Sequence, residues 1–365
     1  MQAGQFLECV KVLDLSQYIP GPFATRQLAD LGAQVIKIEP PSGDPIRYFM
    51  QQNKNDPSAI YQHLNRGKYI CQLDLKTDTG KQRLHNLLVD ADVLLESFRP
   101  GVLDRLGFDR NTLESINHNL IHCALSGYGQ TGPYRDIAGH DLNYCAASGA
   151  LDVNKKTDRP VITYPPLADH AGAMQASLTI LAALHASQQQ KQYIYIDISL
   201  FETTLSWQYL PLIESTKEYS STLNTKSILG GSAACYNIYA CKDGSFISLA
   251  ALETHFWRDF CEAVEKPVWI SRHFQAMPQT ELISELSNLF AEHPRKYWDQ
   301  LFSSVDCCYE PVLLPDELNS HPQIQSRNSL SKYGPNYPAK FNGNSVDLNV
   351  AFTELDPNRQ PAWSN

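Results

Sequence analysis

Two side chains stand where proton or acyl chemistry could use them. Asp169 opens a long apolar helical pattern, and His140 lies in Ala138-Gly139-His140-Asp141-Leu142-Asn143-Tyr144. A carboxylate in the first turn of a helix meets unpaired backbone N–H groups and the positive end of the helix dipole, and both favour its anion. Such a group can be a nucleophile, an acid or base, or simply the helix N-cap, which is the usual employment of Asp there. Histidine ionises near neutral pH without assistance, which suits a group that takes a proton and later returns it. The ordinary alternative is an imidazole satisfied by nearby backbone. His170, next to Asp169, leaves the helix on another side and reads as structural.

These residues need a scaffold, and the first two hundred positions supply one. Residues 10–15 (VKVLDL) read as a strand, 22–31 as a helix opened by Pro20-Gly21-Pro22, and 35–39 as a second strand stopped by Pro40-Pro41. Apolar runs at 72–75, 93–96 and 121–125 alternate with helical patterns at 79–88 and 102–106. The longest helical pattern is 167–187, and 193–199 (YIYIDIS) alternates with the period of a half-buried strand. Short strands separated by helices predict an α/β fold with a mostly parallel sheet covered on both faces. Beyond about residue 205 the texture changes, with a strand at 246–252 and helices at 255–264, 281–293 and 296–302. The expected organisation is a large domain over 1–204, a small α/β domain over 205–325, and a segment 326–365 that returns to the large domain with little structure of its own.

Composition narrows the function classes. With 43% hydrophobic and 19% charged residues the chain is globular. No run of about 18 uncharged apolar residues occurs, so no membrane span is expected, and residues 1–8 lack the pattern of a secretory signal. The expectation is a cytoplasmic protein. Seven of the nine cysteines are scattered singly, Cys307 and Cys308 are adjacent, and no C-x-x-C occurs, so neither a disulfide framework nor a cysteine zinc site is expected. A net charge of −9 without a basic tract argues against nucleic acid, and any phosphate-bearing ligand needs a local cluster of Lys and Arg. The glycine-rich nucleotide motifs and the G-x-S-x-G and H-E-x-x-H motifs are missing, so nicotinamide, flavin, P-loop, hydrolase and zincin chemistry find no support.

Eight segments, in order, resemble CoA-transferase family III, the group that holds carnitine CoA-transferase and α-methylacyl-CoA racemase. They are Pro20-Gly21-Pro22-Phe23 with LADLGAQVIKIEPPSGDPIR (28–47), LNRGKYICQLDLK (64–76), SFRPGVLDRLG (97–107), SGYGQTGPYRDIAGHDLNY (126–144), ADHAGAM (168–174), the Gly230-Gly231 turn, ALETHFW (251–257) and VDCCYEPVL (305–313). The resemblance implies a Rossmann-like large domain, a small α/β domain, and two subunits threaded through one another as an interlocked homodimer.

It also implies roles. Transferases of this family use the residue matching Asp169 as a nucleophile, through an aspartyl anhydride and then an aspartyl-CoA thioester; racemases use it as an acid/base group at the α-carbon. His140 matches the second racemase base, and Glu253 the glutamate that the small domain contributes to the neighbouring subunit's site. For coenzyme A, Arg99, Val102 and Arg105 match the turn and helix that hold the nucleotide, Leu73, Leu75 and Lys76 the strand edge beside the adenine, and Tyr144 is grouped with them. Pro40 stands where many relatives carry a phosphate-binding Arg, which shifts the expected 3′-phosphate contact to Lys37 or Arg66. An enolate-like oxygen would need preformed donors, each supplying about 3 kcal/mol, and the N–H groups at the start of the 168–187 helix are the expected ones. The reading that follows is racemase-like movement of the α-proton of a 2-methylacyl-CoA thioester by His140 and Asp169, with coenzyme A present only as acyl-CoA substrate, and with no metal, nicotinamide or flavin. The alternative is CoA transfer through an Asp169 thioester, favoured by the long 43–68 insert; a third, minor one is a CoA-binding protein without catalysis, suggested by His170 and Ala173.

Overall fold

Apolar runs too short to be helices, each followed by a helix that covers it, leave the chain one economical arrangement: parallel strands side by side. The computed structural model, which describes residues 5–54, 56–154, 159–216, 228–346 and 350–363, has that form. Strands β1 (Lys11–Leu15), β2 (Gln34–Glu39), β3 (Tyr69–Gln72), β4 (Val93–Glu96), β5 (Ile121–Ser126) and β6 (Ile194–Ser199) form one parallel sheet in the order β3-β2-β1-β4-β5-β6. A seventh, C-terminal strand, Thr353–Glu354, adds to the outer edge of β3. The order reverses between β1 and β4, and in sheets of this kind the crevice outside the carboxyl ends at the reversal is where ligands sit. There the Gln17 N–H, just past β1, donates to Ser97 Oγ, just past β4, at 3.1 Å.

Both faces of the sheet are buried. Val12, Val35, Val93, Leu95, Ile121, Cys123 and Leu125 pack against helices Pro20–Asp30 and Leu167–Ser187. Leu13, Leu15, Ile36, Ile38 and Leu94 pack on the other side against Leu84, Leu87, Leu88 and Leu113. The Leu167–Ser187 helix approaches closely because its inner positions are small: Ala168, Ala171, Gly172, Ala173, Ala176 and Ala183 are all buried.

The chain divides into two compact units, Met1–Gln208 with Pro322–Asn365, and Tyr209–His321. The second contains an antiparallel sheet of β7 (Tyr236–Ala240), β8 (Phe246–Ala250) and β9 (Tyr309–Pro311), with helices Thr254–Ala263, Thr280–Phe290 and Arg295–Phe302 around an aromatic core of Trp257, Phe260, Phe290, Trp298 and Phe302.

Local detail departs from the sequence reading in three places. The strand expected at 72–75 lies at Tyr69–Gln72, because Asp74 turns the chain: its carboxylate accepts from Lys76 N–H at 3.0 Å and its carbonyl from Thr77 N–H at 3.1 Å. Strand β7 and helices Ala59–Asn65, Arg110–Ile116 and Asp141–Ala147 were not legible as periodic runs. The tail is more ordered than expected, with a helix Pro322–Arg327, two small hairpins, and the edge strand.

The Pro20-Gly21-Pro22 turn shows how tightly the sheet end is packed. A Cβ on Gly21 would overlap Ser16 Cβ and Oγ, and Ser16 is fully buried. Gly21→Ala is therefore expected to destabilise the fold by roughly 1–3 kcal/mol, measured as a shift in the urea midpoint.

Candidate active site

Asp169 is the third residue of helix Leu167–Ser187, whose N-cap is Pro166, a residue without a capping side chain. The orphan donors of this helix are met from elsewhere. Asp141 Oδ1 accepts from the Ala168 N–H at 2.6 Å and from the Asp169 N–H at 3.1 Å. Asp141 in turn opens helix Asp141–Ala147, with His140 at its N-cap position and the His140 N–H held by Asn143 Oδ1 at 3.1 Å. Two helix starts thus meet through one carboxylate.

That arrangement overturns two expectations. The N–H groups of Ala168 and Asp169 are not free to receive an enolate-like oxygen, since Asp141 holds both. Nor is Asp169 favoured as an anion: burial, and next the Asp141 charge, push its carboxyl up to about 7. Burial outweighs the helix dipole here, and a second carboxylate already occupies the helix terminus.

The His140 ring is exposed and meets the Tyr18 ring edge-on, with centroids 6.2 Å apart and planes at 78°. Beneath it Tyr144 is buried, and its hydroxyl donates to the Gly139 carbonyl at 2.6 Å. Gly127 and Gly139 are required here, because a Cβ on either would overlap the Tyr144 ring. Burial, then the Asp169 charge, raise the Tyr144 phenol to about 12, while Arg99 acts in the opposite sense. Asp169, Asp141, Tyr144 and Arg99 therefore form one electrostatic neighbourhood. His170 turns away, with Nδ1 2.6 Å from the Pro166 carbonyl oxygen and its ring edge-on to Phe23.

Apart from Tyr144, which lies in helix Asp141–Ala147, the residues matched to coenzyme A lie beyond the carboxyl ends of β3 and β4. Arg99 and Arg105 are exposed around the short helix Val102–Arg105, which is entered through Gly101 at φ 76°, with Val102 half-buried. Lys76 is exposed and Leu75 half-buried, whereas Leu73 is core. Neither candidate for the 3′-phosphate is available. Lys37 is fully buried, donating to the Ser16 carbonyl at 2.6 Å and paired with Asp44 at 3.0 Å. Arg66 is spent on Asp30, at 3.1 Å, and on the Pro335 carbonyl. Their sequence positions gave no sign of this, because the partners lie in distant segments.

Arg99 also borders a cavity of about 490 Å³ that includes Glu96, His122, Arg110, Arg135 and Tyr195. Burial lifts the Glu96 carboxyl to about 8 and lowers His122 to about 4. Its lining carries three carboxyls, Glu96 among them, and three guanidinium groups.

Glu253 belongs to the second unit, at the N-cap position of helix Thr254–Ala263, where it is exposed and its charge raises the Cys308 thiol in addition to the effect of burial. In the same unit Gly231 adopts φ 85° in the Gly230-Gly231 turn.

The parallel, doubly wound sheet places the large unit in the α/β class, and comparison with known proteins narrows this to a family. The sequence profile of CoA-transferase family III matches residues 7–362, so the chain belongs to that family of enzymes. It is 33% identical over 344 residues to a CaiB/baiF CoA-transferase family protein of Caenorhabditis elegans, covering 92% of this chain and 94% of that one. It is 32% identical to human alpha-methylacyl-CoA racemase, covering 89% and 82%, and 30% identical to acetyl-CoA:oxalate CoA-transferase of Acetobacter aceti, covering 91% and 88%. In fold it is similar to a CAIB/BAIF family protein from Brucella suis, with a TM-score of 0.81 at 24% identity over 95% of this chain and 96% of that one.

The raised Asp169 carboxyl has a consequence for stability. In the unfolded chain Asp ionises near its ordinary value of 3.8, but in the folded protein only near 7. Folding is therefore unpenalised below the lower value and progressively loses stability as pH rises through that window. Asp169→Asn is expected to raise stability at pH 8 by roughly 2 kcal/mol after allowance for solvent screening, and to leave it unchanged at pH 4, as read from paired denaturation curves.

Proposed function

We propose that this protein moves the α-proton of a 2-methylacyl-CoA thioester, with Asp169 and His140 as the acid/base pair. The observation that carries this reading is the linkage of the two groups through Asp141: it follows His140 directly in the chain, and two hydrogen bonds join it to the helix start that bears Asp169. A carboxyl pushed up to about 7 is poised between donor and acceptor at neutral pH, whereas a strong anionic nucleophile would sit far lower.

In one direction the neutral imidazole takes the α-proton and the C–H electron pair moves onto the thioester carbonyl. Protonated Asp169 then delivers its proton to the other face of the α-carbon as the electron pair returns. The reverse direction exchanges the roles. With two helix-start N–H groups held by Asp141, the thioester oxygen draws on other donors or displaces that carboxylate.

The human and mouse alpha-methylacyl-CoA racemases among the relatives support this reading. Coenzyme A is placed with its nucleotide toward Arg99, Val102, Arg105, Leu75 and Lys76, in the crevice at the β1/β4 reversal, with Tyr144 as a buried prop and Leu73 as the apolar floor. Glu253 enters the same proposal as a residue supplied across a homodimer. What supports a dimer is the Leu167–Ser187 helix, which carries Met174 and Leu178 exposed at 49% and 63% in addition to its buried face; large apolar side chains on the outer side of a helix call for cover. No helix among the described residues is long and apolar enough to cross a membrane, and the proposal places the protein in the cytoplasm.

CoA transfer through an Asp169 thioester is the second reading. It is favoured by the relatives named acetyl-CoA:oxalate and succinyl-CoA--D-citramalate CoA-transferase. In it the Asp169 carboxylate attacks the thioester carbonyl and expels CoA thiolate, which then attacks the anhydride to give the aspartyl thioester and release the acid. Incubation of a 2-methylacyl-CoA with the protein in D₂O separates the two. Deuterium is expected at the α-carbon, with His140→Ala slowing its entry by about 10²–10⁴-fold. Acyl exchange with added carboxylate, hydroxylamine trapping at Asp169 and no deuterium would establish transfer instead.

A further inference from the structure

Tyr18 is a half-exposed aromatic residue with φ 63°, a left-handed backbone that costs free energy in any residue with a Cβ and persists only where its surroundings enforce it. The surroundings here are unusually specific. Its N–H donates to Asp44 Oδ1 at 3.2 Å, and the other oxygen of Asp44 pairs with the buried Lys37. Lys37 Nζ holds the carbonyl of Ser16, whose own N–H and hydroxyl donate to Asp14. Gln17 is fixed by Ser97. On the far side the helix begins at once with Pro20, and Lys68 ties the Pro22 carbonyl to Asp14. Every residue from 16 to 18 is thus held by a hydrogen bond to another segment or to a buried acid. Asp14, Lys37, Asp44 and Lys68, the charges that do this, are all essentially inaccessible to water. The outcome of this arrangement is the direction of one side chain: the Tyr18 ring stands against the imidazole of His140.

We propose that Tyr18 is a positioning residue of the active site, whose ring fixes the orientation of the His140 imidazole toward the α-carbon of the substrate. The inference rests on the proton-transfer reading above and deepens it. His140 is exposed, and its main chain is fixed at both ends of the peptide: the N–H donates to Asn143 Oδ1 at 3.1 Å and the carbonyl accepts from the Asn143 N–H at 2.8 Å, so the Tyr18 ring bears on an imidazole whose backbone is already set. The Tyr18 ring limits the rotation of that side chain without taking a hydrogen bond from the imidazole. A base so restricted loses less freedom on reaching the geometry of proton transfer.

Glycine adopts a positive φ without strain, so Tyr18→Gly keeps the path of the loop and removes only the ring. Deuterium exchange into a 2-methylacyl-CoA is then expected to lose about tenfold in kcat with KM within twofold of the parent, while Tyr18→Phe retains the parental rate. The melting temperatures of both variants show whether the fold is intact. Parental kcat in Tyr18→Gly would overturn the proposal, as would a rise in KM at unchanged kcat, which would make the ring a binding contact. His140→Ala, measured alongside, separates the two ideas. If that variant exchanges normally, the proton-transfer reading itself falls; if it is inactive and Tyr18→Gly is unaffected, only the role of Tyr18 is lost.

Discussion

The centre of this protein depends on one carboxylate placed at another element's helix start. Asp141 receives the first N–H groups of the Leu167–Ser187 helix, which its own N-cap, a proline, cannot satisfy. A buried helix terminus without such a partner would be costly, so the bond is structural before it is anything else. Its side effect is chemical. Burial, and next the charge of the carboxylate that caps the helix, raise the neighbouring Asp169, so an acid that a bare, solvated terminus would have strengthened is weakened. Packing and reactivity are set by the same atom.

A second layer of charge lies behind the reactive face. Asp14 in β1, Lys37 in β2, Asp44 in the loop beyond β2 and Lys68 just ahead of β3 are all buried, and desolvation opposes every charge among them. Paired hydrophobic residues could fill the same space at less cost, but they could not direct the backbone between β1 and the following helix. The bonds from these groups go to Ser16, Tyr18 and Pro22, that is, to the main chain of the loop at the sheet reversal. Here the buried charges hold the main chain of that loop in one conformation.

The parallel sheet was legible because its strands are buried on both faces and therefore read as apolar runs, and the long helix because its pattern continues for six turns. Strand β3 was misplaced by three residues because the apolar run continues through Leu73 and Leu75, past the turn made by Asp74. The edge strand Thr353–Glu354 is two residues long and carries no periodicity to find. In the site, the identities of Asp169 and His140 could be proposed from residue type and resemblance. Their environment could not, since Asp141 meets Ala168 and Asp169 across 27 and 28 residues of chain. Lys37 and Arg66 failed for the same reason: whether a cation faces solvent or an internal acid is decided by segments that sequence order does not bring together.

The edge strand bears on how the molecule is made. Thr353 and Glu354 cover the outer side of β3, and Arg47 pairs with Glu354 at 2.9 Å. The second unit, Tyr209–His321, is inserted in the chain between the two parts of the first. During synthesis, six strands and a whole inserted unit leave the ribosome before the residues that finish the sheet. Until they arrive, the β3 border presents unpaired amides to any extended peptide nearby, a hazard for the nascent chain over all the intervening synthesis.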